Sequence, residues 1–268
     1  MTARAAARLA WSLCAACVAG IGGLLVLKVL NGAADLRSAP LVAAPLAFSV
    51  VGALVAARQQ RNPVGWQLLA VGALMTANLL GESYARYALV TAPGALPGGL
   101  YGAWLGWTYA PILAILAIFL PLYFPTGRLL SPRWRPVVWF GIGFLVFAVA
   151  GNALWPGPQP PLLGLDPVPN PVVYLPQATP LFELFIGLAG LCSLVGVAGA
   201  IAALVVRFRG SRGIERQQLK WVHLRRGAHP PALPRLRTRS EHLWTAAHAH
   251  PSPGANQCRH RDLPLPAV

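Results

Sequence analysis

Six stretches of the chain are apolar almost without interruption: residues 9–30, 41–57, 64–81, 100–124, 137–155 and 181–206. Each runs to roughly 17–25 residues, enough at about 1.5 Å per residue to cross a hydrocarbon layer about 30 Å thick. Lipid offers no water to backbone N–H and C=O groups, so each stretch is expected to be a helix. The pattern predicts an all-α fold, a polytopic membrane helix bundle of about six transmembrane helices.

The polar residues between the stretches set an orientation. Arg4 and Arg8 precede the first, Arg58 and Arg61 follow the second, and Arg128, Arg133 and Arg135 follow the fourth. Arg207, Arg209, Arg212, Arg216 and Lys220 follow the sixth. The alternate connections hold only Lys28, Arg37 and Arg86, and the long one at 156–180 has no Lys or Arg. Twelve cations against three, alternating loop by loop, obey the positive-inside rule and predict an inner-membrane protein with both termini cytoplasmic.

Local chemistry supports these boundaries. Asn62 before Pro63 places a capping side chain ahead of a first-turn proline, and Thr179-Pro180 repeats the signal at the sixth span. Ser131-Pro132 predicts a short interfacial turn with Trp134 as its anchor, and most tryptophans fall near span ends. The connection at 155–179, rich in Pro and Gly, reads as an ordered but irregular crossing.

Of 268 residues, 56% are hydrophobic and 11% charged, and the mean hydropathy is +0.55. A formal charge of +15 raises the question of nucleic acid. Its division into short clusters between apolar spans makes it topogenic, so lipid and not nucleic acid is the expected partner. The start MTARAAARLAW has the basic region of a signal sequence, but the apolar run behind it is too long for a cleaved one and reads as a signal anchor. Cys14 and Cys17 form a CxxC within that span, with no second pair and no nearby His, and read as small packing residues.

Charges within spans default to function, and few are found. Glu82, Tyr84 and Arg86, in GESYARY, are expected just outside the third span on the outer face. Glu82 and Arg86, four apart, read first as a surface ion pair and second as a sensing site. Asn78 and Asn152 are expected to bond between helices, and the small residues at 20–23 and 187–190 to serve close helix packing. No buried acid relay and no pair of broken helices in matching halves speaks for an ion-coupled transporter. Before residue 222 there is no histidine, and the acids Asp35, Glu82, Asp166, Glu183 and Glu215 are scattered. No enzyme activity, cofactor or metal site is therefore expected.

RNPVGWQLLAVG (61–72), FPTGRLLSPRWRPV (124–137) and VRFRGSRGIERQQLKW (206–221) resemble the amino-terminal membrane region of a group of bacterial sensor histidine kinases. The likeness covers about residues 8–222, with its three motifs in the family's order and all on the side expected to be cytoplasmic. It implies a signal-input domain for two-component signal transduction. In that family further helices would lead to a dimerisation helix bearing the phospho-acceptor His and then to an ATP-binding domain, which makes a homodimer an expected arrangement. Neither an Asn-box nor a Gly-rich ATP lid occurs here, so phosphotransfer carries over to no residue. Arg212, Arg216, Lys220 and Trp221 would form the signal-transmission collar. A free-standing channel or transporter subunit is the alternative.

The vocabulary changes at residue 223. Residues 223–268 hold all six histidines and seven prolines, lack helical or strand periodicity, and read as a disordered basic tail following a domain at 1–222. A lipid-binding tail and a His metal tract are weaker readings than a shifted reading frame. Read one base later, GC-rich codons turn His into Thr and many Arg into Ala or Gly, an apolar continuation of QLKWV. The expectation is a sensor domain truncated before its kinase module.

Overall fold

The computed structural model describes residues 2–33, 39–159, 167–172 and 179–227; at Ala39 and from Gly210 onward only the course of the backbone is described. Helix α1 (Ala3–Leu30) opens at Thr2, whose hydroxyl accepts from Ala5 N at 3.3 Å. Helix α2 spans Ala39–Arg58 and α3 spans Pro63–Arg86. The start of α3 is the expected one: Asn62 Oδ1 accepts from Val64 N at 3.0 Å, with Pro63 at the first helical position.

The third span does not stop at Gly81. It continues to Arg86 and through a π-helical turn, Tyr87–Thr91, which places Glu82, Tyr84 and Arg86 inside the helix and not beyond it. A charged side chain does not end a helix, and nothing between Glu82 and Thr91 breaks one. Ala92 does end it: preceding Pro93, it leaves the helical region at φ −139° and ψ 75°.

The fourth span is not one helix either. It divides into α4 (Gly99–Trp107), α5 (Ala110–Ala114), a π-helical turn Ile115–Phe119, and α6 (Leu120–Tyr123). The break at Thr108 and Tyr109 has a cause in Pro111, which has no N–H and whose ring crowds the carbonyl four residues back, that of Trp107. A 3-10 turn at Pro132–Trp134, where the Ser131-Pro132 signal stood, leads into α7 (Arg135–Ala153). Strands β1 (Pro158–Gln159) and β2 (Val168–Pro169) then pair antiparallel, Gln159 opposite Val168. Helix α8 covers Thr179–Gly227.

Among the described residues, six helical segments are long and apolar enough to cross a membrane: Ala3–Leu30, Pro40–Arg58, Pro63–Thr91, Gly99–Tyr123, Pro132–Ala153 and Thr179–Arg209. The chain is an all-α, multi-pass membrane protein. Large apolar side chains point outward along these segments, Trp139 and Leu194 each 69% exposed, as on helices whose solvent is lipid.

The chain divides into two units, Met1–Arg212 and Gly213–Val268, and all six membrane-spanning segments belong to the first. The boundary expected at 222/223 falls inside α8, which remains helical to Gly227. Residues 228–268, which carry most of the expected tail, lie outside the described residues.

Within the first unit, α1, α2 and α3 pack together around Ala10, Cys14, Ala53, Ala56 and Leu69, all buried. The seam between α2 and α3 is so close that it tolerates no side chain. A Cβ at Gly52 would lie 2.7 Å from Leu69 Cα, and one at Gly72 would lie 2.7 Å from Ser49 N. Of the small residues expected to pack closely, Gly20 does so, a Cβ there lying 2.8 Å from Thr76 Cγ2, and Ala189 is buried, whereas a Cβ at Gly187 or Gly190 would meet nothing within 4 Å; Gly52, Gly65 and Gly72 add a seam that was not expected. A second core joins α6 to α8, with Ile118 and Leu122 against Ala200 and Ala203 and with Val137 of α7 beside them.

Candidate functional site

One end of the bundle, the basic end, brings together the first two arginine-bearing motifs and Arg207 of the third. Asn62 ties the first to the second. Besides capping α3 it donates from Nδ2 to Gln59 Oε1 at 2.8 Å and to Pro125 O at 3.4 Å. Gly127 makes this approach possible on two counts. Its φ of 73° is left-handed, and a Cβ there would run into the Asn62 side chain and come within 2.8 Å of Pro63 Cδ. Gly127 N also donates to Tyr123 O at 2.7 Å, closing the turn after α6.

Arg207 on α8 ties the second motif to the third. Its Nη2 donates to Leu122 O at 2.8 Å and to Arg128 O at 2.7 Å. Leu122 lies in the last turn of α6, where carbonyls lack helical partners and a cation is electrostatically favoured. Leu129 and Trp134 pack on the same α6–α8 core. Between the first two motifs lies a cavity of about 410 Å³ lined by Arg58, Gln59, Gln60, Arg61, Asn62, Thr126, Gly127 and Arg128.

The opposite end holds the expected sensing residues. Asn31 donates from Nδ2 to Ser83 O at 2.9 Å and accepts from Thr91 Oγ1 at 2.6 Å, fastening α1 to the end of the third span. The Tyr84 hydroxyl donates to Pro97 O at 2.6 Å and so holds the turn ahead of α4. Glu82 and Arg86 are half-buried. Lys28 and Arg86 are the cations whose fields act on Glu82, and the field of Glu82 reaches Tyr109. Among the described residues Glu82 makes no ion pair within 4.0 Å, so the expected Glu82–Arg86 bridge is not closed.

No family model matches this sequence, and neither does any curated protein or solved structure. What the sites can do therefore rests on their own geometry.

Neighbouring side chains repair the break in the fourth span. Asn78, 3% exposed, donates from Nδ2 to Leu105 O at 2.6 Å and to Thr108 O at 3.4 Å. Thr108 Oγ1 donates to Trp104 O at 2.9 Å and accepts from Asn152 Nδ2 at 3.1 Å. Both asparagines thus bond between helices, as expected, and both serve the same interruption. Asn152 Oδ1 also accepts from Gln159 Nε2 at 3.3 Å, and Asn170 Nδ2 donates to Ala153 O at 2.9 Å, seating the crossing loop on the end of α7. Beside the break lies a mainly apolar cavity of about 280 Å³, whose lining includes Trp107, Tyr109, Phe144, Asn152, Trp155 and Ile186.

Cys14, Cys17 and Cys192 are all buried and carry no disulfide; Cys14 belongs to the α1–α3 core. Arg212, Arg216 and Lys220 recur at every fourth residue of α8, and Trp221 follows; their side chains lie outside the described residues. Sequence reasoning counted Arg207 only as a topogenic charge and missed its bonds to α6. An arginine set between Val206 and Phe208 at the end of an apolar run is the signal that could have marked it.

Proposed function

We propose that residues 1–221 are the membrane input region of a bacterial two-component sensor histidine kinase, seated in the inner membrane with the basic end in the cytoplasm. The observation that carries this reading is the Arg207 clamp. The three stretches that resemble the kinase family are fastened to one another at one end of the bundle, by Asn62 to Pro125 and by Arg207 to Leu122 and Arg128. A cue acting on lipid-facing or opposite-end residues such as Glu82 would shift α3 and the fourth span, and the clamp would hand that shift to α8 and its collar. In this reading the chain is a transmitter and not a catalyst, and it works as a homodimer.

The test is a chimera of residues 1–221 joined to an active histidine-kinase module, with one to four residues inserted after Trp221. Autophosphorylation is expected to rise and fall with the roughly 3.6-residue helical period, and Arg216→Glu with Lys220→Glu to disturb it. Activity indifferent to insertion length would exclude the reading.

The second reading, a channel or transporter subunit, is favoured by one observation: a discontinuous span beside a cavity, the arrangement that transport sites use. Solute flux through proteoliposomes of the full chain, lost on Asn152→Leu, would support it.

A further inference from the structure

The cavity at the basic end has a chemistry that topology alone does not require. Arg58 ends α2, Arg61 lies in the turn before α3, and Arg128 in the turn after α6, yet all three line one concavity of about 410 Å³. Asn62 and the close approach of Gly127 hold the two turns together, so the arginines are not brought there by a flexible tether. Among the described residues no carboxylate lines the cavity. Among the acids with described side chains, Glu82 and Glu183 belong to the opposite end of the bundle, Glu183 near the start of α8. Three like charges converging without a counter-charge repel one another. A topogenic role needs only that arginines sit on this side, as Arg133 and Arg135 do without lining the cavity.

We propose that this cavity binds a phosphate-bearing anion. Guanidinium groups present planar pairs of donors that match phosphate oxygens, and the volume lies in the range of small-molecule sites. The Thr126 hydroxyl, also in the lining, adds a neutral donor, while Asn62 Nδ2 is taken up by Gln59 and Pro125. The phosphate can come from an anionic phospholipid of the surrounding leaflet or from a free phosphate compound, since the cavity lies at the facing ends of the spans Pro40–Arg58 and Pro63–Thr91. The site is independent of the sensor reading: a chimera that fails to signal leaves it standing.

The full chain is reconstituted in phosphatidylcholine nanodiscs, alone, with added phosphatidylglycerol, or with inorganic pyrophosphate in solution, and thermal unfolding is followed. Stabilisation by phosphatidylglycerol identifies a lipid site, and stabilisation by pyrophosphate in neutral nanodiscs a site for free phosphate; either supports the proposal. The exposed Arg58→Gln, Arg61→Gln and Arg128→Gln changes are expected to weaken the apparent affinity by about tenfold each. The Arg133→Gln, Arg135→Gln double variant keeps it. Single Arg61→Gln serves as the milder variant should the triple fail to fold. No stabilisation by either anion, or equal loss in the cavity and control variants, overturns the proposal.

Discussion

Arg207 and Arg128 lie 79 positions apart and are joined by one bond, from the guanidinium Nη2 of the first to the main-chain oxygen of the second, 2.7 Å long. The same nitrogen holds Leu122 O at 2.8 Å, so a single side chain fixes both the end of α6 and the turn behind it. Replacing it with leucine leaves two carbonyls without their charged donor. Arg207→Leu is expected to lower unfolding stability in detergent by about 1–2 kcal/mol, with Arg207→Lys recovering part of the loss. Faster tryptic cleavage at Arg128 should accompany it. Unchanged cleavage and melting would mean that the clamp holds nothing.

The α2–α3 seam predicts a contrast among glycines. Gly72→Ala puts a methyl into Ser49 and its backbone, and is expected to cost about 1–3 kcal/mol by overpacking. Gly22→Ala, where an added Cβ meets nothing within 4 Å, should leave the melting temperature unchanged or raise it slightly. Equal effects at the two positions would show that the seam is looser than these approaches imply.

Asn78 and Asn152 serve the same break and should therefore not act independently. Asn78→Leu and Asn152→Leu are each expected to cost about 1 kcal/mol, since each removes two side-chain hydrogen bonds. The double variant should fall short of the sum, a coupling that a double-mutant cycle of thermal unfolding measures. Strict additivity would separate the two sites.

Orientation is accessible to labelling. Thr126 and Ala95 are both exposed, on turns at opposite ends of the bundle. In whole cells a membrane-impermeant maleimide is expected to label Ala95→Cys directly and Thr126→Cys only after permeabilisation. The reverse order would invert the proposed topology.

How much of the fold is legible in the sequence depends on what each signal reports. Hydropathy registers solvent, and it found all six spans. Capping chemistry is local, and it marked the start of α3 at Asn62. The end of the third span was missed because charge at Glu82 outweighed the absence of any breaker before Pro93. The break at Thr108 was missed although Pro111 announced it, since Leu, Trp and Ile on either side keep the run apolar. The Gly52–Gly65–Gly72 seam and the Arg207 clamp depend on which helices become neighbours, and no single segment encodes its partner.

The interruption at Thr108 also changes how force can pass along the fourth span. Its first piece, α4, packs on α3, while α5 and the turn behind it pack on both α7 and α3. The span is therefore a jointed rod and not a piston. A push on α4 need not drive α6 lengthwise; it can swivel the pieces about Thr108, asking only that Asn78 and Asn152 exchange their bonds.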